Sequence, residues 1–370
     1  MKEASFSKGL SRRVADTVMM RYPHADMYPY RLWCYPQGFL LWGFVRLWED
    51  TKEQKYLDYV LDYAQRSIDE EGNAHRFRGN SMDDIMAGSI LVWAYLHTGD
   101  AKLKRACRQI RAAFDDYPRI KEGGFWHGRG KPQMWVDGVF MGQMFMTKYA
   151  AFMADEEDKV HCFDEAYRQL TVIYDLCRKG NTGLLLHAYC EDRAADWADQ
   201  ETGLSPEVWS EGLGWYALIL AQTLELFPKE HTGRPRLELQ YRQLMESLLE
   251  HQDKDSGLWY QVVDKGDRLD NWCDTSGSAM FQYAMLRGVQ LGLLPAEPYR
   301  AAARKAYEGL CSKVIPAQDG GVDIIDACDG LCVQKSYDVY VNYKKTVNAK
   351  EAVAAVLWAA ELTEFEEEQQ

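Results

Sequence analysis

The sequence predicts an all-α toroid, a ring of about six helical hairpins, on three observations. Apolar residues recur at three and four positions from one end of the chain to the other, and strands are hard to find. Gly or Pro punctuates these runs into roughly twelve helical segments. The segments alternate between a Gly-rich, almost wholly apolar kind and a kind with one charged face, which is what an inner and an outer ring require.

In chain order the periodicity places helices at about 11–21, 37–49, 53–69, 83–98, 101–115, 137–153, 157–178, 207–226, 235–252, 275–291, 297–313 and 346–364. Gln37–Gly43, Asp84–Ser89, Asp137–Gly142, Gly212–Ala217 and Ser276–Phe281 read as inner helices. Small residues admit close backbone approach there, and apolarity all round means burial on every side. Lys55–Val60, Lys102–Cys107, Asp164–Leu170 and Arg236–Glu250 carry a charged face and read as outer helices. Consecutive hairpins start every inner helix at the same end, so Gln37, Asp83, Asp84, Asp137, Glu211 and Thr275 would ring one mouth. A helical solenoid or linear bundle would leave them apart.

No Pro/Gly/Ser-rich linker interrupts the chain and no composition shift persists, so residues 1–370 read as a single domain. With 47% hydrophobic and 13% aromatic residues, including 12 Trp and 22 Tyr, the chain can fill a large core and still line a cleft with rings. A net charge of -13 argues against nucleic acid or an anionic membrane surface as partner. The 9 Cys are scattered without a paired C-x-x-C, and the closest spacing, Cys328 with Cys332, has no nearby His to make a zinc site. Reduced thiols in a cytoplasmic protein account for them. Met1–Val14 has basic residues but no apolar leader region, and no later run reaches membrane-spanning length without charges.

One stretch breaks the apolar pattern. Met134-Trp135-Val136-Asp137-Gly138-Val139-Phe140-Met141 sets a carboxylate at the start of an inner helix. Desolvated between Trp135, Val136 and Phe140, such a group favours its protonated form and can donate a proton. The alternative is a helix cap that accepts backbone N–H groups. The loops ahead of the inner helices, among them Tyr28–Trp33, Gly123–Arg129, Leu185–Tyr189, Trp209–Trp215 and Asp270–Thr275, are rich in aromatic and polar groups. Each Trp alone reads as packing at a hairpin end. Together, beside Asp, His and Arg, they read as a carbohydrate cleft in which His187 orients substrate or bonds an acid, or else serves structure alone. G-x-S-x-G, Walker and H-E-x-x-H patterns are absent.

Several of these runs resemble the unsaturated rhamnogalacturonyl hydrolases, glycoside hydrolase family 105. They are Met134–Gly138, Trp209-Ser210-Glu211-Gly212-Leu213-Gly214-Trp215-Tyr216, Thr275–Phe281 followed by Leu286-Arg287-Gly288-Val289, and Met82–Gly88. The resemblance implies an (α/α)6 barrel, no metal or organic cofactor, and a substrate made by polysaccharide lyases: an oligosaccharide ending in a uronic acid with a C4=C5 double bond. An acid protonates C4, water adds at C5, and the hemiketal opens with loss of the next sugar, unlike the usual two-carboxylate attack at the anomeric carbon. By motif, Asp137 would be the acid that also activates the water. Asp83 would be the second carboxylate, with Asp84 its register alternative. Trp135, Trp209 and Trp215 would wall the sugar, and His187 would touch it.

Where many relatives read Trp-x-Arg-Gly-Asn-Gly-Trp, this chain has Glu211 and Leu213. Glu211 would repel a uronate unless protonated or paired, with Arg31, Arg129, Lys344 or Lys345 available to compensate. The rival readings are a sugar epimerase using His127 and His187 as a proton-shuttling pair, and a noncatalytic glycan-binding scaffold.

Overall fold

Helices that are apolar all round need neighbours on every side, and six of them satisfy one another by closing into a ring. The structure, a computed structural model, describes residues 9–369. Outer and inner helices alternate along the chain: α1 (Leu10–Arg21) then α2 (Tyr35–Thr51), α3 (Gln54–Arg66) then α4 (Met82–Met86) with α5 (Gly88–Thr98), and α6 (Ala101–Ala112) then α7 (Val136–Phe152). The second half repeats this with α8 (Glu156–Cys177) and α9 (Ser210–Leu226), α10 (Arg234–Glu250) and α11 (Thr275–Gln290), and α12 (Ala296–Ser312) and, beyond a short α13 (Tyr337–Val341), α14 (Lys350–Gln369). In the ring α2 packs on α4 and α5, these on α7, α7 on α9, α9 on α11 and α11 on α14, which returns to α2. This is the (α/α)6 barrel, with all inner helices starting at one end.

The axis is filled by aromatic rings from facing helices. Trp215 lies 4.7 Å from Phe39 and 4.8 Å from Phe140, ring centre to ring centre, and Phe39 lies 5.0 Å from Trp358. Such pairs add about 0.5–1.5 kcal/mol each beyond area burial, which makes this stack a stiff plug beneath the mouth.

Two features differ from the sequence reading. The helix expected through 83–98 is divided at Ala87, which keeps helical angles (φ -59°, ψ -28°) while Ile90 bonds back only three residues to its carbonyl. The Ser89 hydroxyl takes the Met86 carbonyl at 2.7 Å, drawing that turn tight. Short antiparallel pairs also form between loops: β1 (Gln133–Trp135) with β2 (Ala188–Cys190), β3 (Trp259–Tyr260) with β4 (Cys273–Asp274), β5 (Val314–Pro316) with β6 (Val322–Ile324), and β7 (Ala327–Cys328) with β8 (Lys345–Thr346). Strands of two or three residues carry no periodicity to detect. The reading of Met1–Val14 falls partly on residues 1–8, outside the described residues. Among the described residues no helix is long and apolar enough to cross a membrane.

Candidate active site

Two loop contacts build the centre of the mouth. Pairing of β1 with β2 sets Trp135 opposite Ala188, and the Val136 N–H donates to the His187 carbonyl at 3.1 Å, so the start of α7 is stitched to His187. The loop before β1 is tied to α4, where the Met82 N–H donates to the His127 carbonyl at 2.9 Å. Gly138 leaves room for this loop, since a Cβ there would lie 2.8 Å from His127 Nδ1.

Asp137 sits in the first turn of α7 at 9% exposure, and the helix end is not capped by a side chain. Its Oδ2 lies 3.1 Å from His187 Nε2, off the direction of a formed hydrogen bond, and both atoms are buried without another partner. On the far side of the ring His187 Nδ1 is 2.8 Å from the Tyr340 hydroxyl, and that oxygen already accepts the Gln334 N–H at 3.2 Å. The phenol proton is best used toward Nδ1, which leaves the imidazole proton on Nε2, on the side of Asp137. Trp135 separates the two histidines, stacked on His127 at 4.2 Å and edge-on to His187 at 5.8 Å. The expected histidine pair is therefore two rings with an indole between them.

Asp83 and Asp84 diverge. Ser81 caps α4 through the Asp83 N–H, and Asp83 Oδ1 lies 3.6 Å from His127 Nε2, facing the cleft. Burial pushes the Asp83 carboxyl above its ordinary range; the His127 ring draws it back, and the charge of Asp137 pushes it up again. Asp84 instead faces Arg31 at 3.9 Å in a separate 540 Å³ cavity lined also by His75, Arg76 and Arg78. Arg31 is exposed and lies over the Tyr30 ring.

Two of the expected aromatic residues lie deeper than the sequence suggested. Trp215, 1% exposed, belongs to the axial aromatic plug, and Trp209, also 1% exposed, lies against His187 at 4.6 Å. Both face inward because they flank the Gly-spaced first turn of α9, whose whole circumference is buried. Trp135 is thus the half-buried member of the expected wall.

Glu211, 1% exposed, has left the mouth surface for a polar knot between α9, α11 and α14. Ser276 Oγ is 2.8 Å from Glu211 Oε2 and 2.7 Å from Asp274 Oδ2. One hydroxyl proton cannot serve both contacts, so one carboxyl must carry a proton. Burial raises Glu211 well above the ordinary carboxyl range, with Glu351 and Asp274 adding to it. Burial raises Asp274 as well, but it accepts the N–H groups of Cys328 and Gly277, which draw it back toward the anion. Glu211 is therefore the acid, and it presents no free charge to repel a uronate. Gln37 and Thr275 turn to loop carbonyls, those of Tyr28 and Arg31 and those of Ile325 and Asp326.

The sequence reading missed Tyr340, Lys350 and Glu351. Lys350 and Glu351 head α14, a segment recognised as helical but not as the sixth inner helix; Lys350 Nζ meets Glu351 Oε1 at 2.9 Å and Asp329 Oδ1 at 3.6 Å. Tyr340 arrives from α13, carried in by the loop between β7 and β8, for which no local pattern exists. Among the described residues no cluster of His, Cys, Asp or Glu could hold a metal ion. A 500 Å³ cavity runs from Trp135 past Lys131 and Asp192 to Trp197 and Cys332.

A helical ring with a carboxylate, an imidazole and a half-open indole at its mouth defines a carbohydrate-active (α/α)6 barrel. Glycosyl Hydrolase Family 88 matches residues 10–366. A glycoside hydrolase of family 105 from C. acetobutylicum ATCC 824 superposes with a TM-score of 0.89 at 32% identity, covering 96% of this chain and 99% of that one. An unsaturated rhamnogalacturonyl hydrolase of Bacillus subtilis (strain 168) is 25% identical over 354 residues, 93% of each chain. An unsaturated 3S-rhamnoglycuronyl hydrolase of Formosa agariphila is 28% identical over 217 residues, 56% of this chain and 54% of that protein. The chain belongs to the family 88 and 105 glycoside hydrolases, the unsaturated uronyl hydrolases.

Proposed function

We propose that this protein is an unsaturated rhamnogalacturonyl hydrolase that removes the C4=C5 unsaturated uronic acid from the non-reducing end of lyase-generated oligosaccharides. The observation that carries this reading is the 3.1 Å approach of His187 Nε2 to Asp137 Oδ2 beside the half-buried face of Trp135. Asp137 gives its proton to C4 of the vinyl ether, and positive charge develops at C5 and the ring oxygen. The resulting carboxylate then draws a proton from water as its oxygen bonds to C5. The hemiketal opens to a ketone at C5 and a hemiacetal at C1, which expels the next sugar as an alcohol. His187, held by Tyr340, positions Asp137, and Asp83 with His127 bonds the sugar hydroxyls.

The rhamnose linkage draws support from the relation to the Bacillus subtilis hydrolase over nearly the whole chain. The cavity from Trp135 to Trp197 has the size and the indole walls to seat the leaving sugar. The test is decay of ultraviolet absorbance of the conjugated uronate with purified protein and unsaturated disaccharides from rhamnogalacturonan, pectin, glucuronan and ulvan. Fastest decay on the rhamnogalacturonan product is expected. Faster decay on another member would replace the linkage and keep the reaction, and an unchanged band throughout would end the proposal.

A further inference from the structure

The opposite end of the barrel holds a second pocket. The C-terminal halves of α2, α5, α7 and α9 enclose a cavity of about 420 Å³. Its walls include Trp42, Trp48 and Trp93, and Lys148 and Gln222 reach it from α7 and α9. Asp137 and Lys148 lie on the same helix eleven residues apart, about 16 Å at 1.5 Å per residue, so this cavity is separate from the mouth.

Lys148 is the unusual group. It is 4% exposed, its hydrogen-bond contacts include no carboxylate, and Glu225 and Glu49 act on it only at longer range. Its Nζ has Gln222 Oε1 at 3.4 Å, Met144 Sδ at 3.7 Å and the Trp42 ring at 4.4 Å, all weak partners for an ammonium. Burial, with Arg46 nearby, pulls its pKa down to about 7. Arg46 donates to the same Gln222 Oε1 at 2.9 Å, lies over the Trp358 and Tyr283 rings at 4.8 and 5.2 Å, feels the charges of Glu225, Glu361 and Glu49, and keeps Nε without a hydrogen bond. Of the acids at the pocket, Glu225 is held by Arg287 at 2.5 Å, and Glu49 stands at the exposed rim beside Trp93 Nε1, 3.3 Å away. His97 stacks on Trp93 at the rim.

Indole faces, a rim carboxylate and a carboxamide suit a hydroxyl-rich ring, and two cations whose contacts are a carboxamide, a thioether and aromatic rings suit one carboxylate. We infer that this floor pocket is a second binding site for a free monosaccharide uronate, with its carboxylate on Lys148 and Arg46 and its ring against the tryptophans. The site is independent of the reaction at the mouth.

The experiment is reductive methylation of the intact protein with formaldehyde and cyanoborohydride at neutral pH, read at Lys148 by peptide mass spectrometry, with galacturonate or galactose as probe. Lys148 is expected to react readily, and galacturonate at ten times its dissociation constant should slow it roughly tenfold, while galactose does not. The Asp137→Asn protein should behave as the wild type, which keeps this result apart from any failure of the proposed hydrolysis. No reaction at Lys148, reaction without protection, or equal protection by galactose would each overturn the site. Calorimetry with galacturonate supplies a second reading: Lys148→Met should lose one binding event and retain turnover of unsaturated disaccharide, and retention of that event would also overturn it.

Discussion

The two ends of the barrel are made by the same six inner helices, yet the first turns at the mouth gather carboxylates, whereas the floor sets cations among acids such as Glu49 and Glu225. At the mouth the first turns or caps hold Asp83, Asp137, Glu211, Asp274 and Glu351. At the floor the last turns of α5 and α11 bring His97 and Arg287, and Arg46 and Lys148 lie just ahead of the last turns of α2 and α7. Helix dipoles favour this division, because N-termini stabilise anions and C-termini stabilise cations, each by about 0.3–1 kcal/mol. What separates the ends is pairing. Glu211, Asp274 and Glu351 are tied into a knot with Ser276, Tyr35 and Lys350, whereas Asp137 at one end and Lys148 at the other are buried without a full partner. An incompletely paired buried ionisable group is costly, and at both ends it faces a cavity wall or cleft where a ligand could complete it.

The largest expected effect tests the mouth. Asp137→Asn should lower kcat by about 10²–10⁴-fold in the ultraviolet assay while the melting temperature holds, since a buried carboxamide replaces a carboxyl of the same shape. Retained turnover would move the acid role elsewhere, with Asp83 next to examine. Tyr340→Phe should act through His187: losing one hydrogen bond is worth about 1 kcal/mol, roughly fivefold in kcat, with KM little changed. An effect on KM alone would make Tyr340 a packing residue.

Two smaller effects compare paired with unpaired charge through pH. Glu211 is raised in the folded protein, so between its unfolded and folded pKa values the folded state binds more protons and stability falls as pH rises. Glu211→Gln should therefore gain in melting temperature over the wild type from pH 5 to pH 8, on the order of 2 °C. A constant gap would show Glu211 ionised. Lys148 has the opposite sign: with a folded pKa of about 7, the unfolded state binds more protons from there up to about 10.4, and stability rises through that window. The melting-temperature advantage of Lys148→Met should be largest near pH 6 and shrink toward pH 10, and an advantage that grows with pH would contradict an unpaired ammonium.

Much of the ring was legible because its signal is local. Gly38, Gly43, Gly138, Gly142, Gly212 and Gly214 lie in runs with no polar face, and their partners Lys55–Val60 or Arg236–Glu250 show one. The alternation survived even where helix ends moved by a few residues. Asp137 stood out for the same reason, as one charge in an apolar first turn. Asp83 and Asp84 could not be told apart, since adjacent helix positions differ by about 100° and only the packed neighbours say which faces the cleft. Trp209 and Trp215 read as wall residues because the family motif places an indole at those positions without saying which way it faces.

By itself, then, the chain determined the two kinds of helix, their order and a carboxylate side chain in the apolar first turn at Asp137, all consequences of periodicity and of the contrast between one charge and its apolar neighbours. Tertiary structure alone decided that α14 closes the ring with Lys350 and Glu351, that Glu211 trades the mouth for a proton-sharing contact with Ser276, and that Tyr340 reaches His187 across 153 positions of sequence. The physical reason is that these depend on which backbones meet once the ring closes. Contacts of that range leave no trace in the local spacing of residues.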